Sequence, residues 1–305
     1  MKVLVTGSSG FLGRHLVPRL QARRYDLILP RSREMDLMVF PQVEAYLTSH
    51  RPDVVVHSAA YYGGIGINQA EPANLFFRNT VMTANLFEAA ARAGVKRIVP
   101  VGSACAYPGD IAGDMREEDF WAGRCHPSVE AYGFSKKLQM VGLTAYHKQY
   151  GVTFNHLVLT NLYGEYDEFG EYRSHAAAAL IKRFVDAARD EKPEVTCWGD
   201  GSPIREFMYT GDAAEAIART VEGPHDPEPM NIGTGIGTSI RELTEMICEL
   251  TGYNGRVEWD ASRPNGVARK VLDVGKMKGI LGWRAEIPLR EGLRRTIEWF
   301  RKNPS

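Results

Sequence analysis

Short aliphatic runs punctuate the first half of the chain: Val3-Leu-Val-Thr6, Leu27-Ile-Leu29, Val54-Val-Val56, Ile98-Val-Pro-Val101 and Phe154-Asn-His-Leu-Val-Leu159. Their lengths and β-branched content predict strands, the second running from Asp26 to Pro30. Between them, apolar residues recur at helical spacing over 11–23, 73–93 and 129–150. Alternation of this kind folds into a parallel sheet with helices on both faces, so the prediction is an α/β, doubly wound architecture. After the fifth run the rhythm changes. Loops rich in Gly, Tyr and Asp occupy 163–173 and 198–206, and a helix-rich portion follows. The division predicted is a sheet domain over 1–163, to which 207–236 returns, and a smaller, discontinuous lobe from 164–206 and 237–305. No Pro/Gly-rich linker separates them, so the two are expected to share a cleft.

The turn after the first strand carries the first chemical signal. Gly7-Ser8-Ser9-Gly10-Phe11-Leu12-Gly13 leaves that strand directly and opens the first helix. Glycines there let the backbone turn and approach a pyrophosphate, which the unpaired N–H groups of a helix N-terminus attract. The loop thus predicts a dinucleotide cofactor on a Rossmann-type sheet. Where enzymes that use NAD usually place a carboxylate for the ribose, the second strand here runs into Arg31-Ser32-Arg33. Arginines make forked bonds to a 2′-phosphate, so NADP(H) is expected over NAD. Asp36-Leu37 is the candidate for the adenine edge.

The second signal is Tyr132-Gly-Phe-Ser-Lys136, which puts a phenol and an ammonium on one helix face. The expectation is that Lys136 lowers the Tyr132 pKa, so that the phenol passes a proton to a carbonyl oxygen as hydride reaches its carbon. Ser103 ends the fourth strand, where ligands of open α/β sheets bind, and is placed to donate to the same oxygen.

Charge and composition narrow the partners. Lys plus Arg and Asp plus Glu both number 37 in 305 residues, so no overall basic field recommends nucleic acid or an anionic membrane as partner. No apolar run is long enough to span a membrane. Met1 runs into the first strand with no charged leader, so the expected location is cytoplasmic. Cys105, Cys125, Cys197 and Cys248 lack the paired spacing of a zinc site, and free thiols with no metal are expected. Phosphate binding must then be local, with Lys182-Arg183, Arg205 and Arg269-Lys270 as candidate cations.

Taken together, Gly-x-x-Gly-x-x-Gly at 7–13, Ser103 and Tyr132-x-x-x-Lys136 resemble the extended short-chain dehydrogenase/reductase family over essentially the whole chain. Further stretches are similar to a subgroup acting on GDP-linked 4-keto-6-deoxy sugars: Tyr62–Ile65, Gly102–Pro108, Thr160–Gly164, Ser174-His175, Trp198–Phe207 and Asp260–Gly266. The resemblance implies NADPH-dependent epimerisation at C3 and C5 and reduction at C4 of GDP-4-keto-6-deoxymannose. It implies that Cys105 and His175 exchange protons at the carbons flanking the ketone. A thiol and an imidazole, with ordinary pKa values of roughly 8.5 and 6.5, suit such exchange near neutrality. Arg205, with Lys182 or Arg183, would hold the diphosphate, Trp198 the base, and Arg269 would add charge. Ala59, Leu159, Asn161 and Leu162 would border the cofactor, and Asn161 would also touch the sugar. Homodimers through the 73–93 and 129–150 helices are implied too. Two departures stand out: Gly164-Glu-Tyr-Asp-Glu-Phe169 where the family commonly has Gly-Pro-His-Asp-Asn-Phe, and Ser103-Ala-Cys-Ala106 where it has Ser-Ser-Cys-Ile. They leave open a C4-reductase or epimerase for another GDP- or TDP-linked keto-sugar.

Overall fold

The computed structural model describes residues 1–170, 172–262 and 266–303. Strands β1 (Lys2–Thr6), β2 (Asp26–Ile28), β3 (Val54–His57), β4 (Arg97–Pro100) and β5 (Thr153–Phe154) form a parallel sheet in the order β2-β1-β3-β4-β5. The predicted strand over 154–159 is broken at Asn155-His156, because the Asn155 side chain turns to accept a hydrogen bond from buried Arg97. It resumes as β6 (Leu157–Leu159), joined to the sheet by a parallel bridge between Val101 and Leu157. β7 (Asn161–Tyr163), β8 (Glu194–Trp198) and β9 (Ile204–Tyr209) follow, and then β10 (Met230–Ile232) returns to pair parallel with β6. β11 (Gly237–Ser239), β12 (Arg256–Asp260) and β13 (Arg269–Lys270) complete the strands; β7, β11 and β13 pair with β9, and β12 with β8.

The helices are α1 (Phe11–Ala22), α2 (Phe40–His50), α3 (Ile65–Ala70), α4 (Pro72–Arg92), α5 (Glu130–Tyr150), α6 (Ala176–Arg189), α7 (Thr210–Thr220), α8 (Ile240–Thr251), α9 (Gly275–Leu281) and α10 (Leu289–Lys302). α1 packs with α7, whereas α2, α4 and α5 pack as a second set. Two cores result. The first buries β1, β3 and β4 with residues such as Leu16, Leu86, Met140 and Ile217. The second gathers Phe184 of α6, Ile247 of α8, and Ile297 and Phe300 of α10 around Tyr163 and Phe207. Within the stretch 237–305, Leu272, Val274, Met277 and Trp283 pack into the first core.

Both cores bury aliphatic and aromatic side chains at about 1.5–3 kcal/mol each, so each holds its share of the site firmly. The boundary between them is a cleft.

Candidate active site

The C-terminal ends of β1, β3, β4 and β6 open onto one cavity of about 1410 Å³. Ligand pockets commonly measure roughly 300–1,000 Å³, so this one has room for two ligands. Gly7, Ser9, Gly10, Phe11, Leu12 and Gly13 line one end, with Asp36 and Ala59. The α1 N-terminus has no side-chain cap at Gly10, which leaves its first N–H groups for a ligand. A Cβ at Gly13 would run into the Gly7 carbonyl, so only glycine lets the helix sit this close to the turn.

The rest of the cofactor set divides. Ser8 is half-buried beside the loop but does not line the cavity. Leu37 is in the core, 8% exposed, and the chain there is pinned by Asn85 donating to its carbonyl. Arg31 and Arg33 are exposed and away from the cavity walls. After β2 the chain closes a tight turn, with Glu34 and Met35 N–H groups donating to the Arg31 carbonyl, and Met35 is buried while both arginines stay exposed. The expected pair of phosphate forks is thus not part of the lining, whereas Asp36 is. Leu159, Asn161 and Leu162 border the cavity.

Tyr132, on the first turn of α5, lines the cavity. Ser103 accepts a hydrogen bond from the Cys105 N–H and also hydrogen-bonds the Tyr132 phenol, so it caps the 104–106 turn and serves the site at once. Burial pushes the Tyr132 pKa up, helped by nearby Cys105 and Tyr62, and the Ser103 bond only partly opposes this. The expected lowering by Lys136 is absent from that balance. Lys136 Nζ lies 5.7 Å from the phenol ring centre and donates to the Val101 carbonyl at 2.9 Å. Burial brings its own pKa down to about 8. Tyr132 is therefore a firmly protonated phenol, suited to give a proton.

Cys105 and His175 face the same cavity. His175 is the residue before α6, and its ring stacks on Tyr62 with centroids 5.7 Å apart. Burial and then the Lys270 charge push the imidazole down to about 4, so it is neutral at working pH. Sequence reasoning had no role for Tyr62. The signal for it was Gly63-Gly64: a Cβ at Gly64 would strike the Ser174 carbonyl, and Gly64 N–H donates to Arg173 O at 3.0 Å. That close contact seats Tyr62 against His175. Asn79 brackets the neighbouring Tyr61 backbone, accepting from its N–H and donating to its carbonyl.

The cavity is also lined by Lys182, Arg183, Trp198, Arg205 and Lys270. Lys182 pairs with Asp186 at 2.8 Å, and Arg183 donates to Thr196 O. Arg205 is largely buried, which lowers its pKa, and Trp198 is 65% exposed at the rim. Asn161 spends its amide on the Glu206 carbonyl. Arg269 does not join them: its guanidinium is tied to Asp114 at 2.6 and 3.0 Å, outside the lining. Its neighbour Lys270 lies inside, because successive strand residues face opposite ways. Of the stretch 260–266, residues 263–265 lie outside the described residues. In the divergent 164–169 loop, Tyr166 packs on His15 and Trp299, away from the cavity, and Phe169 is the residue that lines it.

A family model described as the NAD dependent epimerase/dehydratase family matches residues 3–233. A GDP-L-fucose synthase of Escherichia coli (strain K12) is 35% identical, aligned over 99% of this chain and 97% of that protein. A GDP-L-colitose synthase of Yersinia pseudotuberculosis is 33% identical over 98% of each. Among solved structures, a GDP-mannoheptose C4 reductase of Campylobacter jejuni with NADP bound superposes with a TM-score of 0.88 at 27% identity, covering 98% of both chains.

Proposed function

The chain belongs to the NAD dependent epimerase/dehydratase family, and on that premise we propose that it is an NADP(H)-dependent enzyme that epimerises C3 and C5 and then reduces C4 of GDP-4-keto-6-deoxymannose, giving GDP-L-fucose. One observation carries the reading: Ser103, Cys105, Tyr132 and His175 line the same cavity as the phosphate loop. The full-length relatives named above support the nucleotide sugar as substrate. The cradle fits a dinucleotide, since the uncapped α1 N-terminus accepts a pyrophosphate and a side chain at Gly13 would close the turn. Gly7, Ser9, Gly10 and Leu12 would hold it, with Ala59 and Leu159 beside it and Lys136 reaching toward the ribose. When bound, the cofactor supplies hydride.

The chain's own residues do the rest. Arg205, with Lys182 and Arg183, binds the substrate diphosphate, and Trp198 offers a face to the base. Tyr132 and Ser103 donate hydrogen bonds to the C4 oxygen, which acidifies the protons on C3 and C5. Cys105 and His175 exchange those protons. After inversion, Tyr132 gives its phenolic proton to the same oxygen as C4 is reduced.

Turnover in heavy water is the test. The expected product carries deuterium at C3 and C5 and forms with one NADPH oxidised per molecule. A second reading, C4 reduction of another GDP-linked keto-sugar without epimerisation, has the Campylobacter reductase behind it; a product unlabelled at both carbons would leave that reading standing and remove the first.

No helix among the described residues is long and apolar enough to cross a membrane, and a cytoplasmic location is part of this proposal. So is a homodimer through α4 and α5, whose exposed Phe77, Phe134 and Val141 need cover. The proposed lobes are 1–163 with 207–236 for the cofactor, and 164–206 with 237–305 for the sugar nucleotide, except that Leu272, Val274, Met277 and Trp283 pack with the first.

A further inference from the structure

The thiol at 105 has a cation as its neighbour, brought from far along the chain. Lys270 Nζ lies 3.3 Å from Cys105 Sγ. Among the described residues Lys270 makes no ion pair with a carboxylate, unlike Arg269 beside it. The strand that carries it is clamped on both sides. β13 pairs with β9 at Ile204 and Arg205. Met115 N–H donates to Val271 O at 2.8 Å, and Leu272 N–H donates to the fully buried Glu206 carboxylate at 2.8 Å. Glu206 also receives the N–H of Gly235 at 3.0 Å, so one carboxylate ties the segments around 235 and 272 to β9. With Arg269 tied outward to Asp114, strand alternation leaves Lys270 aimed at the sulfur.

We propose that Lys270 is a positioning residue that makes Cys105 the base of the epimerisation step, its ammonium serving as the counter-ion of the thiolate. The inference rests on the epimerase reading above. A lysine in contact with a cysteine favours the thiolate, which is the form that removes protons. The same charge faces His175 and, together with burial, keeps the imidazole neutral. The two groups are thereby given different tasks. The Cys105 thiolate takes a proton from the carbon flanking the ketone, an S–H bond forms, and the C–H electron pair passes into the enolate whose oxygen Tyr132 and Ser103 hold. The enolate collapses by taking a proton on its other face from one nitrogen of His175, while the other nitrogen accepts one from water in the cavity. The thiol then returns its proton to solvent, and Lys270 keeps its charge throughout.

Alkylation of Cys105 by iodoacetamide near neutral pH, located by peptide mass mapping, measures the thiolate without any sugar. Lys270→Met should slow it about 10-fold and slow deuterium entry at C3 and C5 in proportion, while Lys270→Arg keeps most of both. Unchanged alkylation in Lys270→Met overturns the proposal. So does a higher KM with unchanged kcat and unchanged exchange, which is what a contact to the diphosphate alone would give. Should Lys270→Met fold poorly, the ultraviolet absorbance of the thiolate in the wild-type protein, taken as the difference from Cys105→Ser, decides: no thiolate near neutrality ends the idea. Failure of the wild-type enzyme to incorporate deuterium would instead strike the epimerase reading and leave the alkylation result intact.

Discussion

The two sides of the cavity are built differently. On the side proposed to reduce, Ser103 follows β4, and Tyr132 and Lys136 lie on the first turns of α5, all on elements that pack against the sheet core. On the side proposed to epimerise, Cys105 lies on the stretch after β4, but His175 and Lys270 come from distant segments and reach it only through tertiary packing. The first arrangement is a property of the sheet domain; the second exists only in the assembled molecule. The sides meet at one point, the C4 oxygen that Tyr132 and Ser103 would hold for both reactions.

That shared point is where the comparison is most easily broken. Tyr132→Phe removes the proton donor for reduction and one of two donors to the enolate. Reduction is expected to fall about 10²–10⁴-fold, the usual worth of a positioned acid, and deuterium exchange to fall with it. Folding should change little, since the phenyl ring remains. Exchange that survives intact while reduction is lost would mean that the two reactions use different oxygen sites. Cys105→Ser separates the sides. Exchange at C3 and C5 should drop about 10²-fold or more, while hydride transfer to the unepimerised ketone persists within about 10-fold. Equal loss of both would show that the thiol belongs to a single common step.

The same contrast explains what the sequence made legible. The phosphate loop and the Tyr132–Lys136 pair are local patterns on elements whose periodicity is strong, and both stand where expected. Parity in a two-residue strand is not local. Arg269 and Lys270 are adjacent cations, and only the register of β13 on β9, 65 residues earlier at the Ile204 to Arg269 pairing, decides which faces inward. Tyr62 was hidden for a similar reason, since its contact with His175 depends on a backbone approach between 64 and 174. Arg31 and Arg33 show the limit from the other side: their charge was visible, but not the tight turn after β2 that keeps both out of the cavity lining. The direction of the Tyr132 shift depends on burial, which no spacing reveals.

Binding sharpens the comparison from the lobe side. Arg205 lies on β9 and lines the same cavity as Tyr132. A charge-assisted hydrogen bond is worth about 1.5–3 kcal/mol, so Arg205→Ala should raise KM for the sugar nucleotide roughly 10–100-fold and leave kcat within a few-fold. A matching fall in kcat would put the guanidinium in the chemistry.

The smallest effect is in stability, and there the two sides respond to opposite ends of the pH scale. His175 is lowered from 6.5 to about 4 in the folded protein, so between those values the unfolded chain binds a proton that the native one refuses. Its contribution is fully present above the unfolded value and is lost as pH falls through the window, at about 1.4 kcal/mol per pH unit. Buried His57 and His156, both lowered to about 3, lose stability over the same range. Lys136 is lowered from 10.5 to about 8, so the unfolded chain again holds the extra proton, but on the alkaline side, and stability gained from this group rises as pH climbs through that window. Urea unfolding across the acid range should therefore show a slope shallower by about 1.4 kcal/mol per unit in His175→Asn, and the alkaline slope should be untouched. Lys136→Met should do the reverse. An acid slope identical in His175→Asn and wild type would mean that the imidazole is solvated and charged at mild acidity, and a charged imidazole could not act as the neutral relay that the epimerising side requires.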